Sequence, residues 1–380
     1  MPLRIGVPRE TAPGERRAAL VPDAVARLVK AGAEVVVESG AGEQAYVSDA
    51  AYQAAGAVTG TRADAWGADV VARVQGPARE DLPLLGAGRT VIGFLRPLDD
   101  PQGMAALAAT GATALAMELV PRTTRAQKMD ALSAMATVAG YRAVLLAAEA
   151  LPKFFPLLTT AAGTMRPAKV LVLGAGVAGL QAIATARRLG AVVSAYDVRA
   201  AAAEEARSLG AQFVQLDLDT AGAEGGGGYA AALDEQRQRR QVELLAEHVA
   251  TSDVVISTAL IPGRAAPLLV SENGVRRMAP GSVVVDLAAP NGGNCALTRP
   301  GEVVDAGGVR VFGPLNLPGE MPVHASQMYA RTLSAMITEF MREGAWAPAE
   351  DDDIYRAACV TRGGEVVNER VRGLLQPVPA

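Results

Sequence analysis

Short apolar runs alternate with amphipathic helical patterns along the first third of the chain. The apolar runs, each a predicted strand, are Arg4–Val7, Glu34–Glu38, Asp69–Val74, Thr90–Leu95 and Thr113–Glu118. Helical patterns between them cover Pro22–Ala31, which Gly32 ends, and Gln102–Thr110. Buried strands that alternate with helices predict a parallel sheet covered by helices on both faces.

The alternation stops at a long Ala-rich segment and then starts again. Lys128–Ala150 predicts one long helix, ended by Pro152 and Pro156. Further strands are predicted at Lys169–Leu173, Val192–Tyr196, Gln212–Gln215, Asp253–Ser257, Ser282–Asp286 and Val309–Phe312. Further helices are predicted at Val177–Leu189, Ala201–Leu209, Leu233–Ala250 and from Pro322 to about Glu343.

These two series of elements predict an α/β fold with two Rossmann-like, doubly wound parallel-sheet domains. The second domain is inserted into the first, and long helices link them. The predicted bounds are 1–130 plus 322–380 for the discontinuous first domain, 131–165 for the linking helix region, and 166–321 for the nucleotide-binding domain.

Composition narrows the chemistry open to this chain. Its 380 residues carry 36 basic and 40 acidic side chains, a net charge of −4, which gives no basic surface for nucleic acid. Two histidines, two cysteines and four lysines leave no zinc framework or CxxC site, so we expect no metal, free cysteines and little proton chemistry. The N-terminus lacks a signal-peptide pattern, and the longest uncharged stretch, Val170–Ala186, falls short of a membrane span. We therefore expect a soluble cytoplasmic protein.

A glycine fingerprint follows the first strand of the second series. Gly174, Gly176 and Gly179 form G-x-G-x-x-G between a strand and a helix, where they permit a tight turn, close approach of a pyrophosphate, and close helix packing. Asp197 ends the next strand and is expected to bind the adenosine ribose, which favours NAD(H) over NADP(H). Residues beside these positions, Val177, Ala178, Val198 and Arg199, are further candidate cofactor contacts. The alternative is a vestigial nucleotide fold that keeps the same turn, and Arg199 is a reason for caution about the choice of cofactor.

A polar segment, Pro121–Ser133, precedes the long helix. If the segment is helical, Gln127, Asp130 and Ser133 recur at i, i+3 and i+6, roughly on one face, with Arg122 upstream. One interpretation is a helix start with solvated charges. The other is a polar cluster at the nicotinamide end, lining the cleft between the domains, in which Gln and Ser bind the carboxamide.

Three loops are further candidates. The GGGGY stretch, with Gly228 and Tyr229, is either a flexible surface loop or a lid that closes over a bound dinucleotide. Thr258, Ala259 and Leu260 follow a strand, at the sheet end where ligands bind in α/β folds. The segment Pro290–Asn294 also follows a strand, and a plain tight turn is equally compatible with it.

Taken together, these motifs resemble the alanine dehydrogenase/pyridine nucleotide transhydrogenase superfamily over nearly the whole chain. The resemblance is carried by IGVPRE, ERRAALVP, RAQKMDALSAMATVAGYRAV, GAGVAGLQAIATARRLGA, YDVR, GGYA, STALIPG, GSVVVDLA and GGN. It is strongest to the NAD(H)-binding component, domain I of the alpha subunit, of proton-translocating transhydrogenases. In that branch the resemblance implies that Arg122, Gln127, Asp130 and Ser133 lie against the nicotinamide, that Tyr229 is carried on a mobile loop, and that Asp197 binds ribose.

The same resemblance implies partners. The expected assembly is a homodimer, peripheral at the inner face of the cell membrane, with NADP(H) on a partner beta subunit and with separate membrane-spanning subunits. Direct hydride transfer from NADH to NADP⁺ would be coupled there to proton translocation.

Two alternatives remain open at this point. In the alanine dehydrogenase branch a Lys, a His and an Asp serve the keto acid, whereas this chain has Gln75, Arg96 and Pro290 at those positions and keeps the substrate-carboxylate Arg as Arg17. Hydride exchange between two nicotinamides needs orientation but no proton acceptor, which favours the transhydrogenase branch. The second alternative is a catalytically silent NAD-binding subunit.

Overall fold

A computed structural model describes residues 2–218, 234–261 and 263–375 of the chain. Its strands are β1 (Arg4–Val7), β2 (Glu34–Glu38), β3 (Val58–Gly60), β4 (Val70–Gln75), β5 (Thr90–Phe94), β6 (Thr113–Ala116), β7 (Leu158–Thr160), β8 (Gly163–Met165), β9 (Lys169–Leu173), β10 (Val192–Tyr196), β11 (Gln212–Phe213), β12 (Val254–Ser257), β13 (Val283–Asp286), β14 (Val303–Asp305), β15 (Arg310–Phe312), β16 (Met341–Arg342), β17 (Ala345–Trp346), β18 (Cys359–Arg362) and β19 (Glu365–Val366). Its α-helices are α1 (Pro22–Lys30), α2 (Asp49–Ala54), α3 (Arg62–Trp66), α4 (Pro101–Ala108), α5 (Ala131–Ala150), α6 (Val177–Arg188), α7 (Ala202–Ser208), α8 (Glu235–Ala250), α9 (Glu272–Arg276), α10 (Pro322–Phe340), α11 (Asp353–Ala358) and α12 (Glu369–Leu375).

The elements form two compact units, each with its own sheet. Unit 1 comprises Met1–Met135 and Pro318–Ala380, and unit 2 comprises Ala136–Leu317. The prediction of two Rossmann-like α/β halves is confirmed.

The sheet of unit 1 has the strand order β19-β18-β6-β5-β4-β1-β2-β3. All neighbours from β6 to β3 run parallel, as predicted, and their central strands are almost wholly buried because helices cover both faces. The far edge differs from the prediction, since β18 pairs antiparallel with β6 and β19 antiparallel with β18. An antiparallel edge on a parallel sheet is common in such folds, and here the C-terminal segment supplies it.

The sheet of unit 2 has the order β11-β10-β9-β12-β13-β15-β14. The strands from β11 to β15 are parallel, and β14 is an antiparallel edge. The chain leaves β9 toward β10 and β11, and then returns to β12 on the other side of β9. This reversal creates a topological switch point at the carboxyl ends of β9 and β12, which is where doubly wound sheets bind ligands.

Helix α5 begins at Ala131 rather than at the predicted Lys128. In unit 2 its residues Ala143, Val144 and Ala147 are fully buried in the core with strands of the sheet. Among the described residues, α5 is the helix long and apolar enough to cross a membrane by length and composition, a test that a buried core helix also passes.

Candidate functional site

The glycine turn of unit 2 has the stereochemistry that the fingerprint predicts. Gly174 has φ +94°, in the left-handed region, and a Cβ there would lie 2.8 Å from the Thr258 hydroxyl oxygen. A Cβ at Gly179 would overlap the carbonyl oxygen of Gly174. The first and third glycines are therefore required by the turn itself and by the close packing of α6 on it.

The middle glycine has a different environment. Gly176 precedes α6 with extended backbone (φ −77°, ψ −169°), and no atom lies within 4 Å of where its Cβ would be. It faces open space at a helix N-terminus, whose first N–H groups lack intrahelical partners and attract anions. Val177 and Ala178 form the first turn of α6 beside it. This cradle fits a dinucleotide pyrophosphate.

Asp197 follows β10, in register with the turn. Its Oδ2 accepts a hydrogen bond from the Ala175 N–H at 2.8 Å, which joins it to the glycine turn. The side chain of Arg199 folds back on the carboxylate, with Nη2 2.8 Å from Oδ2 and Nε 3.0 Å from Oδ1. The Asp197 side chain is only 7% exposed in this pair. The predicted ribose-binding acid thus carries a cationic partner two residues away.

The third strand end adds Thr258. Its hydroxyl donates to the carbonyl oxygen of Gly174 at 3.0 Å, so the loop after β12 is attached to the glycine turn. Ala259 is half-buried and Leu260 is exposed, as is expected of residues at a binding surface, and Val198 packs against the core of unit 2. The structure therefore brings the predicted cofactor residues of unit 2 together at its switch point, apart from Gly228 and Tyr229, which lie outside the described residues.

The polar segment of unit 1 is not one continuous helical face. Gln127–Met129 form a 3₁₀ turn, and Asp130 then caps α5, where its carboxylate accepts the N–H (2.8 Å) and the hydroxyl (2.6 Å) of Ser133. An Asp that binds the N–H three residues on ends the preceding turn and starts a new helix, so the predicted spacing on a single helix is wrong. Asp130 and Ser133 are together, while Gln127 and Arg122 are exposed.

Ion pairs hold this segment in place. Arg125 is paired with both oxygens of Asp352, at 2.7 and 3.0 Å, and with Glu339 at 3.3 Å. Lys128 is 2.8 Å from the other oxygen of Glu339. For these two cations the interpretation as a charged helix start fits better than a binding role, although each exposed pair contributes less than about 1 kcal/mol.

The positions that distinguish the dehydrogenase branch are occupied by residues paired with their own neighbours. Gln75 donates to Glu15 at 2.8 Å, and Arg17 binds the same buried carboxylate through Nε and Nη2, at 2.7 and 2.5 Å. Burial by itself would raise the pKa of Glu15, but the bonds and charge of Arg17 outweigh it and lower that pKa. Arg96 is 59% exposed and lies 3.6 Å from Asp99. Neither Gln75 nor Arg96 can accept a proton.

One titratable group that the sequence patterns did not single out is Glu118. It follows β6 at the carboxyl end of the unit 1 sheet, where its Oε1 accepts the N–H of Arg96, whose backbone is left-handed (φ +54°). The other oxygen, Oε2, is buried without a hydrogen-bond partner. Burial raises the pKa of Glu118 to about 7. Only the fold reveals this group, because its burial depends on residues far away in the chain.

Glu118 gives the stability of unit 1 a predicted pH dependence. Since its folded pKa of about 7 exceeds the ordinary 4.5, the stabilisation from this carboxyl is complete below pH 4.5 and is lost as the pH rises through 7. Glu118→Gln stays neutral at every pH, so we expect it to be more stable than the native chain by up to about 3 kcal/mol at pH 8 and similar at pH 4.5. Urea denaturation at the two pH values measures this, with the exposed Glu80→Gln as control. Equal differences at both pH values would contradict the assignment.

The remaining reactive residues have ordinary structural places. His248 and His324 are exposed, and Cys295 and Cys359 are buried, with their thiols free of any disulfide. Burial raises the pKa of Cys295 to about 11, which keeps its thiol protonated. Within the described ranges, no group of three or more His, Cys, Asp or Glu side chains could hold a metal ion.

Comparison with known proteins agrees with this geometry. The family models for the N-terminal and C-terminal domains of alanine dehydrogenase/PNT match residues 6–139 and 143–369. An NAD(P) transhydrogenase subunit alpha polypeptide of Rhodospirillum rubrum is 43% identical over 98% of this chain and 99% of that protein. Alanine dehydrogenase of Bacillus subtilis is 30% identical over 97% and 93%.

A solved structure gives the same answer. The transhydrogenase from Sinorhizobium meliloti matches with a TM-score of 0.87 and 44% identity, covering 96% of this chain and 100% of that one. As the motifs predicted, this chain belongs to the alanine dehydrogenase/PNT family of NAD-binding oxidoreductases.

Proposed function

We propose that this chain is the NAD(H)-binding subunit of a proton-translocating NAD(P) transhydrogenase. It passes hydride from NADH directly to NADP⁺ held on a beta subunit, and membrane-spanning subunits couple the transfer to proton movement. The chain acts as a homodimer, peripheral at the cytoplasmic face of the membrane, and is active in transfer only with its partners.

The observation that carries this proposal is the state of the two replaced acid–base positions. The Gln75 amide is bound to Glu15 and Arg96 is a cation, so neither serves the proton transfer that amine oxidation requires. Hydride exchange between nicotinamides asks only that two rings be held in the right orientation. The glycine turn and Asp197 supply a site for NADH as substrate.

Within the site, the residues divide into two roles. Gly176, Val177 and Ala178 bind the pyrophosphate through backbone N–H groups, and Asp197 with Arg199 binds the adenosine ribose. In unit 1, Arg122, Gln127, Asp130 and Ser133 serve the nicotinamide, and the Asp130–Ser133 bonds fix the orientation of the Ser133 hydroxyl. On the lid, Tyr229 contacts the bound dinucleotide.

The test is hydride transfer from NADH to an oxidised nicotinamide analogue, catalysed by the full chain with and without the NADP-binding partner subunit. We expect transfer to require that subunit loaded with NADP⁺. Absence of any stimulation by the loaded subunit would sink the proposal and favour a silent NAD-binding subunit.

Gln127→Asn tests the role of the polar segment. The shorter side chain keeps the amide but moves it by one methylene, so we expect hydride transfer to slow on the order of 10- to 100-fold. The Kd for NADH should change by less than about threefold, because an orienting contact acts mainly in the transition state. Single-turnover rates and fluorescence titrations measure the two effects, with the exposed Gln102→Asn as control. Equal changes in rate and affinity would instead indicate uniform binding.

One observation favours a second candidate, an amino-acid dehydrogenase with a rearranged site. Glu118, with its pKa of about 7 and its unpaired Oε2, is able to exchange protons at neutral pH. This candidate requires turnover of pyruvate and ammonia with NADH, at rates on the order of 1–10³ per second. It also requires that Glu118→Gln abolish that turnover.

A further inference from the structure

The carboxylate of Asp286 is the centre of a buried hydrogen-bond network in unit 2. Asp286 ends β13, and its side chain is completely buried. It accepts five hydrogen bonds, from Ser257 Oγ (2.9 Å), Ala288 N (3.0 Å), Asn294 N (2.7 Å), Cys295 N (3.0 Å) and Thr298 Oγ1 (2.6 Å). Five donors satisfy an ionised carboxylate fully without a cation. The loop after β13 is therefore folded around a fixed charge.

Two adjacent glycines let the chain wrap this closely. Gly292 and Gly293 both have left-handed backbones, with φ of +97° and +85°. A Cβ at Gly293 would lie 2.8 Å from Oδ2 of Asp286. The segment Pro290–Asn294 is thus more than a plain tight turn, since its shape serves the carboxylate and delivers Asn294 to a defined place.

The side chain of Asn294 is fully buried and binds the backbone of Ala259 in both directions. Its Nδ2 donates to the carbonyl of Ala259 at 2.9 Å and to that of Pro267 at 2.8 Å, and its Oδ1 accepts the N–H of Ala259 at 3.1 Å. The N–H and the carbonyl of Ala259 are therefore both fixed by one amide. The neighbouring Thr258 continues the chain of contacts to the carbonyl of Gly174 in the glycine turn.

We propose that Asn294, held by Asp286, is a positioning residue that fixes Ala259 and so presents Thr258–Leu260 to the dinucleotide. The inference rests on the proposed function, because it assumes that this loop contacts NADH. Asn294 does not touch the ligand; it acts through the backbone of Ala259. Preorganising a binding loop raises affinity because the loop no longer has to be ordered when the ligand binds.

The chain offers a matched pair of variants to test this. Asn294→Ala removes all three bonds to Ala259 and Pro267. Thr298→Val removes a bond to the same Asp286 carboxylate, with nearly unchanged shape, and leaves the Ala259 contacts intact. The full chain is titrated with NADH by fluorescence at a temperature at which circular dichroism shows each variant folded, and urea denaturation gives the stabilities.

We expect Asn294→Ala to weaken NADH binding on the order of tenfold or more, and Thr298→Val to change the Kd by less than about twofold while also losing stability. In the assay with the partner subunit, Asn294→Ala should raise the KM for NADH by a similar factor, and saturating NADH should restore most of kcat. If Asn294→Ala does not fold, Asn294→Ser, whose hydroxyl can replace one bond to Ala259, is expected to show an intermediate loss.

Two results would overturn the inference. One is an unchanged Kd in the folded Asn294 variant. The other is an equal loss of affinity in Thr298→Val, which would make the network merely structural. Failure of the native chain to bind NADH is a separate outcome, which would refute the proposed function.

Discussion

Gly179→Ala is expected to abolish NADH binding and to destabilise unit 2. The added Cβ would overlap the carbonyl oxygen of Gly174, a backbone atom that can move only if α6 shifts away from the turn. Overpacking that displaces backbone costs about 3 kcal/mol or more, and a shifted helix no longer aims its N–H groups at the pyrophosphate. We expect the NADH Kd to rise at least 100-fold, equivalent to about 2.7 kcal/mol. Calorimetry and NADH titration measure the two losses.

Gly176→Ala is the matched control for this prediction. Its Cβ would meet no atom within 4 Å and its backbone is extended, so the fold should keep its stability. The methyl group would instead occupy the open space assigned to the pyrophosphate, and binding should be lost. A Gly176→Ala chain that binds NADH normally would contradict the placement of the phosphates.

Asp197→Asn is expected to shift the cofactor preference from NADH toward NADPH. In the native chain the Asp197 carboxylate repels a 2′-phosphate and binds the Arg199 guanidinium at 2.8 and 3.0 Å. Replacing the carboxylate by an amide leaves that guanidinium next to the ribose position, where it can bind the phosphate dianion. We expect the ratio of the two Kd values to move on the order of 100- to 1000-fold, about 3–4 kcal/mol.

The double variant Asp197→Asn/Arg199→Ala separates the two causes. If Arg199 supplies the new affinity, the double variant should bind NADPH no better than the native chain does. Arg199→Ala alone should sharpen the preference for NADH, since the acid then repels the 2′-phosphate without a neutralising partner. Side-by-side titration with NADH and NADPH gives all four ratios. An unchanged ratio in Asp197→Asn would mean that Asp197 does not read the ribose.

Features set by consecutive residues were predictable. The glycine turn, the acid after β10 and the bounds of strands such as β9 and β10 follow from local stereochemistry and from the period of apolar positions. The start of α5 was missed by three residues because the cap on Asp130 depends on a side-chain bond that outweighs the helical periodicity around it.

By itself, the sequence determined the class of fold, the family and the order of the dinucleotide elements, because these depend on spacing along the chain. Only the tertiary structure decided that Asp286 holds Asn294 against Ala259, that Glu118 is buried with an unpaired oxygen, and that β18 closes one edge of a parallel sheet. Such features depend on which distant segments meet. A burial or a hydrogen bond across dozens or hundreds of residues leaves no periodic signal in the residues that form it.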